Sequence, residues 1–405
     1  MPIPSPKRSS PATSRPQSNR GPAEAGRTAT GAAGSRPPTT LILEDGTSYE
    51  GVSFGAGRPV VGEVVFTTAM SGYVEALTDP SFRGQILVLT YPLAGNYGVP
   101  AARAAGSLDG PFESDKIQVQ GLVVQHAITH PSHHASVRTL GEWLTGEGVP
   151  AVTGIDTRTL TRRLREHGTM RGWLLPGEHP VEEEQRAAQG VEMHRELFQL
   201  VAPTETTRIG DGGGPRVLLV DAGVKDNLIR SVVQRGANVI RAPWFADLAA
   251  LANDVDGVLL GNGPGDPKDL PELVTQVRGL LQRPNLPIFG VCLGNQILAL
   301  AAGGDTFKLP YGHRGVNQPV QEIGTRRCFI TSQNHGYAVR ESSLPRDWEP
   351  WFVNLNDGTN EGIRARFKPV FSVQFHPDAG PGPRDTGFLF DTFLQLCETA
   401  RRSGR

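Results

Sequence analysis

The second half of the chain alternates short apolar runs with amphipathic stretches. Five apolar runs have the length and composition of buried strands: 216–221, 238–242, 257–260, 287–291 and 370–375. Five stretches place apolar residues at helical spacing: 225–235, 247–253, 270–281, 294–302 and 387–401. This alternation predicts a parallel sheet covered by helices on both faces. Ligands bind at the carboxyl ends of such strands, so the loops that follow 257–260 and 287–291 are candidate sites.

The first half has a less regular, β-rich pattern. The stretch 40–49 has the pattern of a hairpin, with two strands joined by an Asp-Gly turn. Strand-like runs occur at 60–68, 85–91 and 116–125, and helical spacing occurs at 137–144 and 157–166. Beyond residue 308 the pattern is β-rich again, with short runs at 329–332 and 362–366. We therefore expect a smaller mixed β/α domain over 40–195, a glycine-rich linker over 196–215 and an α/β domain over 216–402.

Residues 1–39 have a different composition. They are rich in Ser, Pro, Ala, Gly and Thr and carry six basic residues against a single acid, Glu24. Such a segment has too few large apolar residues to offset the entropy of ordering, so we expect a disordered basic tail. An Arg- and Ser-rich, acid-poor start is also typical of an organelle transit peptide. The prolines and glycines disfavour the amphipathic helix of a transit peptide, so organelle targeting is the minor alternative.

The overall composition narrows the class of protein. A net charge of −1 gives no electrostatic ground for binding nucleic acid or a membrane surface, and no apolar run approaches the length of a membrane span. The three cysteines are far apart and form no Cys-x-x-Cys pair: Cys292, Cys328 and Cys397. This spacing argues against a disulfide framework or a zinc cage and favours a reducing compartment, so we expect a cytoplasmic protein. Three histidines cluster without a nearby carboxylate or cysteine, which favours a solvated loop over a metal site: His130, His133 and His134.

The turn after the run 287–291 places a cysteine between two glycines. Gly290 and Gly294 each lie two positions from Cys292, and a helix-compatible segment follows. A nucleophile on a tight strand-to-helix turn sits in strained backbone and needs small neighbours. Unpaired N–H groups at the helix start also stabilise a thiolate. A free cysteine in an apolar run is more often a small buried hydrophobe, so this turn alone leaves both interpretations open.

A cysteine nucleophile needs a base, and the base needs an orienting partner. His376 follows the last apolar run of the same predicted sheet, and Asp378 lies two residues further on, beyond a proline. The predicted roles are nucleophile for Cys292, general base and then acid for His376, and orientation of the imidazole for Asp378. A His-Pro-Asp turn by itself is more often structural, but the Gly-x-Cys-x-Gly turn upstream favours the catalytic interpretation.

Four motifs of the second domain resemble those of the class I (triad) glutamine amidotransferases. They are Asn-Gly-Pro-Gly-Asp-Pro at 262–267, Cys-Leu-Gly-Asn-Gln at 292–296, Gln-Asn-His-Gly-Tyr at 333–337 and Gln-Phe-His-Pro at 374–377. The first domain resembles that of carbamoyl-phosphate synthase small chains at 62–68, 70–73, 77–81, 89–92 and 155–158, as does Gly-Pro-Gly-Pro at 380–383. The resemblance covers about residues 40–400 and implies a flavodoxin-like parallel sheet in the second domain.

The resemblance also implies an activity and a set of site residues. The family hydrolyses the side-chain amide of L-glutamine through a γ-glutamyl thioester, which would form on Cys292. The oxyanion hole would consist of the backbone N–H groups of Leu293 and Gly265. Glutamine would be held by eight residues: Ser81, Gly263, Gly265, Leu293, Gln296, Asn334, Gly336 and Tyr337. Ser81 belongs to the first domain, so the site would straddle the two domains, whereas His335 is expected to be structural and no metal is expected.

The implied partner is a separate large chain. It would use the released ammonia with bicarbonate, ATP and Mg to make carbamoyl phosphate for arginine and pyrimidine biosynthesis. This chain has no Walker-type phosphate loop, so no cofactor is expected on it. Two positions depart from the family pattern. Asp378 stands where the family usually has glutamate, whose side chain is one methylene longer. Asn295 stands where the family often has His or Asn-like residues, and we expect this difference to have little effect.

Two other hypotheses compete with this one. A class I amidotransferase that serves another synthase, or a γ-glutamyl hydrolase-like peptidase, would lack the motifs of the first domain. A non-catalytic subunit that only docks on a partner is supported by nothing beyond Asp378 and the basic tail.

Overall fold

The computed structural model describes residues 37–403, apart from 105, 178–184, 186–187, 189 and 191–193. All but the last three residues of the predicted tail, 1–39, lie outside this range. The first strand begins at Pro38, so it includes the last two residues of the predicted tail.

The first domain is a closed β-barrel with helices packed around it. In the described part of this domain, seven strands close the barrel in the order β1-β2-β8-β6-β4-β3-β9, and β5 pairs with β7 in a separate ribbon. The strands are β1 (Pro38–Leu43), β2 (Ser48–Ser53), β3 (Val60–Thr67), β4 (Gln85–Leu89), β5 (Leu93–Ala94), β6 (Gly121–Val124), β7 (His126–Ala127), β8 (Ala151–Thr153) and β9 (Met170–Pro176). The helices are α1 (Tyr73–Thr78), α2 (Leu140–Gly146) and α3 (Thr157–His167).

The start of α2 differs from the predicted start at residue 137, and a capping box explains the difference. The Oγ1 atom of Thr139 accepts a hydrogen bond from the N–H of Glu142 at 3.1 Å. The Glu142 carboxylate in return accepts one from the N–H of Thr139 at 2.7 Å. This reciprocal pair satisfies two unpaired donors at the helix start, so the helix begins directly after Thr139.

The second domain is built on a mixed sheet with helices on both faces. Its strands are β10 (Thr207–Ile209), β11 (Arg216–Asp221), β12 (Asn238–Pro243), β13 (Gly257–Leu260), β14 (Ile288–Val291), β15 (Thr306–Glu322), β16 (Cys328–Val339), β17 (Trp348–Asn354), β18 (Asn360–Ala365) and β19 (Val370–Val373). Its helices are α4 (Arg195–Gln199), α5 (Asp226–Val233), α6 (Leu248–Leu251), α7 (Pro271–Leu280), α8 (Leu293–Ala302) and α9 (Phe388–Arg402).

The order of the parallel strands is that of a flavodoxin-like sheet. The strands β12, β11, β13, β14 and β19 are neighbours in this order, and each pairs in parallel with the next. Numbered by chain position, this order is 2-1-3-4-5, which confirms the predicted fold class. Alternate residues of β11 enter two separate cores: Leu218 packs with residues of α7 and α8, whereas Leu219 packs with residues of α5 and α9.

The segment predicted as a linker, 196–215, contains regular structure. It carries all but the first residue of α4, and the Phe198 side chain is buried in the core of the second domain. Further along, β10 pairs antiparallel with β12 and extends the sheet by one strand. The two apolar residues Leu197 and Phe198 anchor this segment, although its sequence is otherwise polar and glycine-rich.

The region after α8 forms a long hairpin that the sequence pattern did not predict. β15 and β16 pair antiparallel, with register shifts between Lys308 and His313 and between Gly315 and Gln318. This hairpin reaches back towards β3 of the barrel, since the backbone oxygen of Arg314 accepts a hydrogen bond from the N–H of Thr68 at 3.2 Å. Among the helices described, none has the length and apolar character needed to cross a membrane.

Candidate active site

Cys292 lies on a strained turn between β14 and α8. Its φ angle is 55°, a left-handed value that is uncommon for a residue with a side chain. The two glycines are required by close contact: a Cβ atom at Gly294 would lie 2.2 Å from the carbonyl oxygen of Leu260, and one at Gly290 would lie 2.7 Å from the oxygen of Gly294. The thiol donates a hydrogen bond to the backbone oxygen of Asn334 at 3.7 Å. The turn therefore has the local geometry that the sequence pattern predicts.

His376 and Asp378 follow β19, the strand next to β14, and both are buried. The Nδ1 atom of His376 lies 3.3 Å from Oδ1 of Asp378, and Nε2 has no hydrogen-bond partner among the described residues. Burial alone would lower the pKa of His376, but interaction with Asp378 and with Cys292 raises this pKa to about 10. The imidazole of His376 is therefore cationic beside Cys292.

Lys225 holds the other side of Asp378. Its Nζ atom lies 3.3 Å from Oδ2 of Asp378 and 3.5 Å from Oε1 of Glu113, which belongs to the first domain. Burial tends to raise the pKa of Asp378, but the charges of Lys225 and His376 hold this pKa well below its usual range. Burial raises the pKa of Glu113 to about 7 despite the neighbouring lysine. A buried chain of alternating charges thus runs from His376 to the barrel domain.

A cavity of about 520 Å³ opens beside Cys292 between the two domains. Its lining includes seven of the eight residues predicted to hold glutamine: Ser81, Gly263, Gly265, Gln296, Asn334, Gly336 and Tyr337. The eighth, Leu293, is absent from this lining because its side chain packs in the core of the second domain. Its predicted role uses the backbone N–H. No hydrogen bond within the described chain engages the backbone N–H of either Leu293 or Gly265.

The first domain contributes directly to this cavity through the short 3-10 helix Pro80–Phe82. The carboxylate of Asp79 accepts hydrogen bonds from the N–H of Ser81 at 2.9 Å and from Nδ2 of Asn334 at 3.0 Å. The hydroxyl of Ser81 accepts one from Nδ2 of Asn262 at 3.0 Å. These bonds fix the two predicted glutamine-binding side chains of different domains in one place.

Two polar residues of the helix after Cys292, Gln296 and Asn295, form hydrogen bonds within the second domain. Nε2 of Gln296 donates to the backbone oxygen of Tyr337 at 2.9 Å, which orients its amide at the edge of the cavity. The side chain of Asn295 is fully buried and bonds to Ser372 at 2.8 Å and to Gln374 at 3.0 Å. Its position in the core explains how this residue supports the turn without facing the cavity.

The His335 side chain is buried, and both of its ring nitrogens lie at hydrogen-bond distance from other residues. Its Nδ1 atom lies 2.7 Å from the oxygen of Tyr337 and its Nε2 atom 3.0 Å from Oε1 of Gln333, and burial lowers its pKa well below the ordinary value. The neighbouring His313 lies 2.8 Å from Asp357 and 3.4 Å from Glu361. Burial lowers the pKa of His313, but the bonds to these two acids raise it to about 9. His313 therefore lies as a cation between Asp357 and the buried Glu361.

The predictions from sequence missed four residues that the structure places around the site: Asp79, Glu113, Lys225 and Arg314. Asp79 directly follows the helix Tyr73–Thr78, and Lys225 follows the buried strand Arg216–Asp221 by four residues, so a polar residue soon after such an element was the available signal. Glu113 carries no comparable signal, because its partners Lys225 and Arg230 are distant in the sequence. Arg314 lies in the hairpin that the sequence pattern did not predict. The loop with His130, His133 and His134 is exposed in the structure.

In a comparison with known proteins, each domain matches a family model. The family model for the carbamoyl-phosphate synthase small chain domain matches residues 41–174, and the model for class I glutamine amidotransferases matches 218–396. The carbamoyl phosphate synthase small chain of Symbiobacterium thermophilum is 50% identical over 373 residues, which cover 90% of this chain and 99% of the relative. The chain belongs to the carbamoyl-phosphate synthase small chain family.

Other members of this family are also similar. The arginine-specific small chain of Neosartorya fischeri is 45% identical, over 90% of this chain and 81% of the relative. The multifunctional protein pyr-3 of Neurospora crassa is 44% identical over 88% of this chain, which corresponds to 21% of that larger protein. This small-chain sequence thus has relatives both as a separate chain and as one part of a longer polypeptide.

Two solved structures resemble parts of this small chain. One is a GMP synthase component from Thermoplasma acidophilum, with a TM-score of 0.43 and 21% identity over 48% of this chain and 99% of that one. The other is a glutamine amidotransferase from Thermotoga maritima, with a TM-score of 0.34 and 18% identity over 47% and 91%. Each likeness therefore extends over about half of the small chain.

Proposed function

We propose that this chain is the glutamine-hydrolysing subunit of carbamoyl-phosphate synthase. The observation that carries the proposal is the strained Cys292 turn beside His376 and Asp378, at a cavity that both domains line. Hydrolysis needs a nucleophile, a proton carrier and a binding site for the rest of the amino acid, and these residues supply all three. The assignment of Cys292, His376 and Asp378 as catalytic residues belongs to this proposal.

The reaction follows from the roles of these groups. The Cys292 thiolate attacks the side-chain carbonyl carbon of glutamine, and the backbone N–H groups of Leu293 and Gly265 stabilise the oxyanion, each worth roughly 10²–10³ in rate. His376 gives its proton to the departing ammonia, and a γ-glutamyl thioester remains on Cys292. His376, now neutral, takes a proton from water, and the resulting hydroxide attacks the thioester. Glutamate leaves, and the thiolate–imidazolium pair is restored.

The remaining residues position the substrate in this proposal. Ser81, Gly263, Gln296, Gly336 and Tyr337 line the cavity around Cys292, and Asn334 is fixed by Asp79. Asp378 orients His376 in place of the glutamate that the family usually has. The two oxygens of Asp378 lie 3.3 Å from His376 and from Lys225, so the shorter carboxylate still reaches both cations.

The proposal extends to the partner and the pathway. Ammonia released by this chain would pass to a carbamoyl-phosphate synthase large chain, which would supply ATP and Mg and consume bicarbonate. The arginine-specific and multifunctional relatives support a role in arginine and pyrimidine biosynthesis. We also propose that this chain holds no cofactor or metal, binds neither nucleic acid nor membrane and acts in the cytoplasm. The net charge of −1 and the three dispersed cysteines support these points.

Co-expression with the large chain provides the test. The wild type is expected to make carbamoyl phosphate from either glutamine or ammonia, whereas Cys292→Ser is expected to retain the ammonia reaction alone. Cys328→Ser is the matched control, because this cysteine is exposed and is not part of the cavity lining. Glutamine use by Cys292→Ser at the wild-type rate would overturn the mechanism.

A further inference from the structure

The structure points to Arg314 as the residue that binds the α-carboxylate of glutamine and thereby selects a free amino acid as substrate. This inference rests on the proposed glutaminase function and goes beyond the eight residues predicted to hold glutamine. Arg314 lies on β15 and is part of the lining of the same cavity as Cys292.

The guanidinium of Arg314 is buried and incompletely bonded. The residue is 6% exposed, and Nη1 donates to the backbone oxygen of Tyr311 at 2.6 Å. Nε is buried without a partner, and Nη2 makes no hydrogen bond within the described residues. A buried charged group with unused donors is costly unless a ligand completes its bonding. The unused donors of Arg314 therefore indicate a missing acceptor.

The position of the guanidinium is set by the hairpin. Arg314 lies directly opposite Asn334 in the antiparallel pair of β15 and β16, so both side chains project from the same face. Gly336, two residues after Asn334, is on this face as well. A Cβ atom at Gly336 would lie 3.4 Å from Nη2 of Arg314, with no other atom within 4 Å. Nη2 therefore borders the open space beside Gly336, where glutamine is proposed to bind.

Glu63 attracts the charge of Arg314 from a distance but is not bonded to it. No ion pair within 4.0 Å involves Arg314 among the described residues. The nearby acid Glu63 is already bonded to Lys308 at 2.8 Å, to Thr169 at 2.8 Å and to Gln85 at 2.8 Å. The positive charge of Arg314 thus faces the cavity without an ion-pair partner of its own. When the side-chain amide of glutamine occupies Cys292, the α-carboxylate is the one anionic group that the substrate can offer to Arg314.

An alternative role for Arg314 is stabilisation of a thiolate at Cys292, since both residues line the same cavity. The two roles predict different substrate dependence. A carboxylate contact affects substrates that carry the carboxylate, whereas a thiolate contact affects every substrate of Cys292 equally.

The test compares L-glutamine with its α-carboxamide, which has the same side chain but no carboxylate. The full chain with its large chain is assayed for kcat/KM on both compounds, with the γ-hydrolysis product measured by chromatography. In Arg314→Gln we expect kcat/KM for glutamine to fall about 10- to 100-fold, mainly through KM, because a charge-assisted bond is lost. The value for the α-carboxamide is expected to change less than about twofold.

Arg314→Lys is the second variant and keeps the charge without the planar pair of donors. We expect its preference for glutamine over the α-carboxamide to lie between those of the wild type and Arg314→Gln. If Arg314→Gln fails to fold, this variant decides alone, and an unchanged preference would overturn the assignment. An equal fall for both substrates, or no fall for either, would also overturn it. A wild type that does not hydrolyse glutamine would instead refute the proposed function itself.

Discussion

Replacement of Asp378 by asparagine removes a charge that lies between two buried cations and leaves the size of the side chain unchanged. The carboxylate lies 3.3 Å from His376 and 3.3 Å from Lys225. At an effective dielectric constant of about 20, a charge pair about 4 Å apart contributes about 4 kcal/mol. Each 1.4 kcal/mol corresponds to about one pKa unit, so we expect the pKa of His376 to fall from about 10 to about 7.

This change has a direct kinetic consequence, because His376 must be protonated to release ammonia. At pH 8.5 the wild-type imidazole is protonated, whereas in Asp378→Asn about 3% of the molecules would retain the proton. We therefore expect kcat for glutamate formation to fall about 30-fold at pH 8.5 from the loss of charge alone. Loss of orientation would add to this. The assay is the pH profile of kcat between pH 6 and 10, where the upper limb reports His376 in the enzyme–substrate complex.

Two further variants make the result specific. Asp378→Glu is expected to keep the wild-type upper limb, since it restores the carboxylate that the family usually has. Asp385→Asn is the matched control, because Asp385 lies nearby in the sequence but is exposed. An Asp378→Asn profile whose upper limb stays near pH 10 would refute the argument that Asp378 holds the charge of His376.

Two further predictions concern the stability of the protein and involve Gly294 and Glu113. Gly294→Ala is expected to destabilise the protein by about 3 kcal/mol or to prevent folding, because the new Cβ would clash with the Leu260 carbonyl. The measurement is unfolding by denaturant. Gly279→Ala is the control, because a Cβ at Gly279 would have no other atom within 4 Å. Burial raises the pKa of Glu113 from 4.5 to about 7, so its contribution to stability is lost as the pH rises through this interval. Relative to Glu113→Gln, the wild type is expected to lose up to about 3 kcal/mol of unfolding free energy between pH 4.5 and 7.5, and parallel curves would contradict this.

The parts of the fold that local pattern determines were predictable. The apolar runs of the parallel strands and the Gly-x-Cys-x-Gly turn depend on neighbouring residues alone, so their positions agree with the structure. The closure of the barrel depends on β9 pairing with both β1 and β3, which are far away in the sequence. No periodic signal reports such a pairing, and the first domain was therefore predicted only as mixed β/α.

The hairpin of β15 and β16 was missed for a different physical reason. Gly312 lies within its first register shift and the second begins at Gly315, and each shift breaks the alternation of inward and outward side chains. The chain of charges from His376 to Glu113 was missed because its members come from separate elements of both domains. The sequence pattern placed Lys225 only at the start of a helix, and the tertiary contact with Asp378 shows its role.

The contribution of the barrel to the site limits how this protein can be divided or recombined. Glu113 lies against Lys225, and Asp79 holds Asn334, so both acids come from the first domain while the groups they hold come from the second. An isolated second domain would keep Cys292 and His376 yet expose a buried lysine that has lost one of its two acids. The second domain therefore cannot simply be combined with another first domain. A domain that replaced the barrel would have to place two carboxylates at the positions of Glu113 and Asp79.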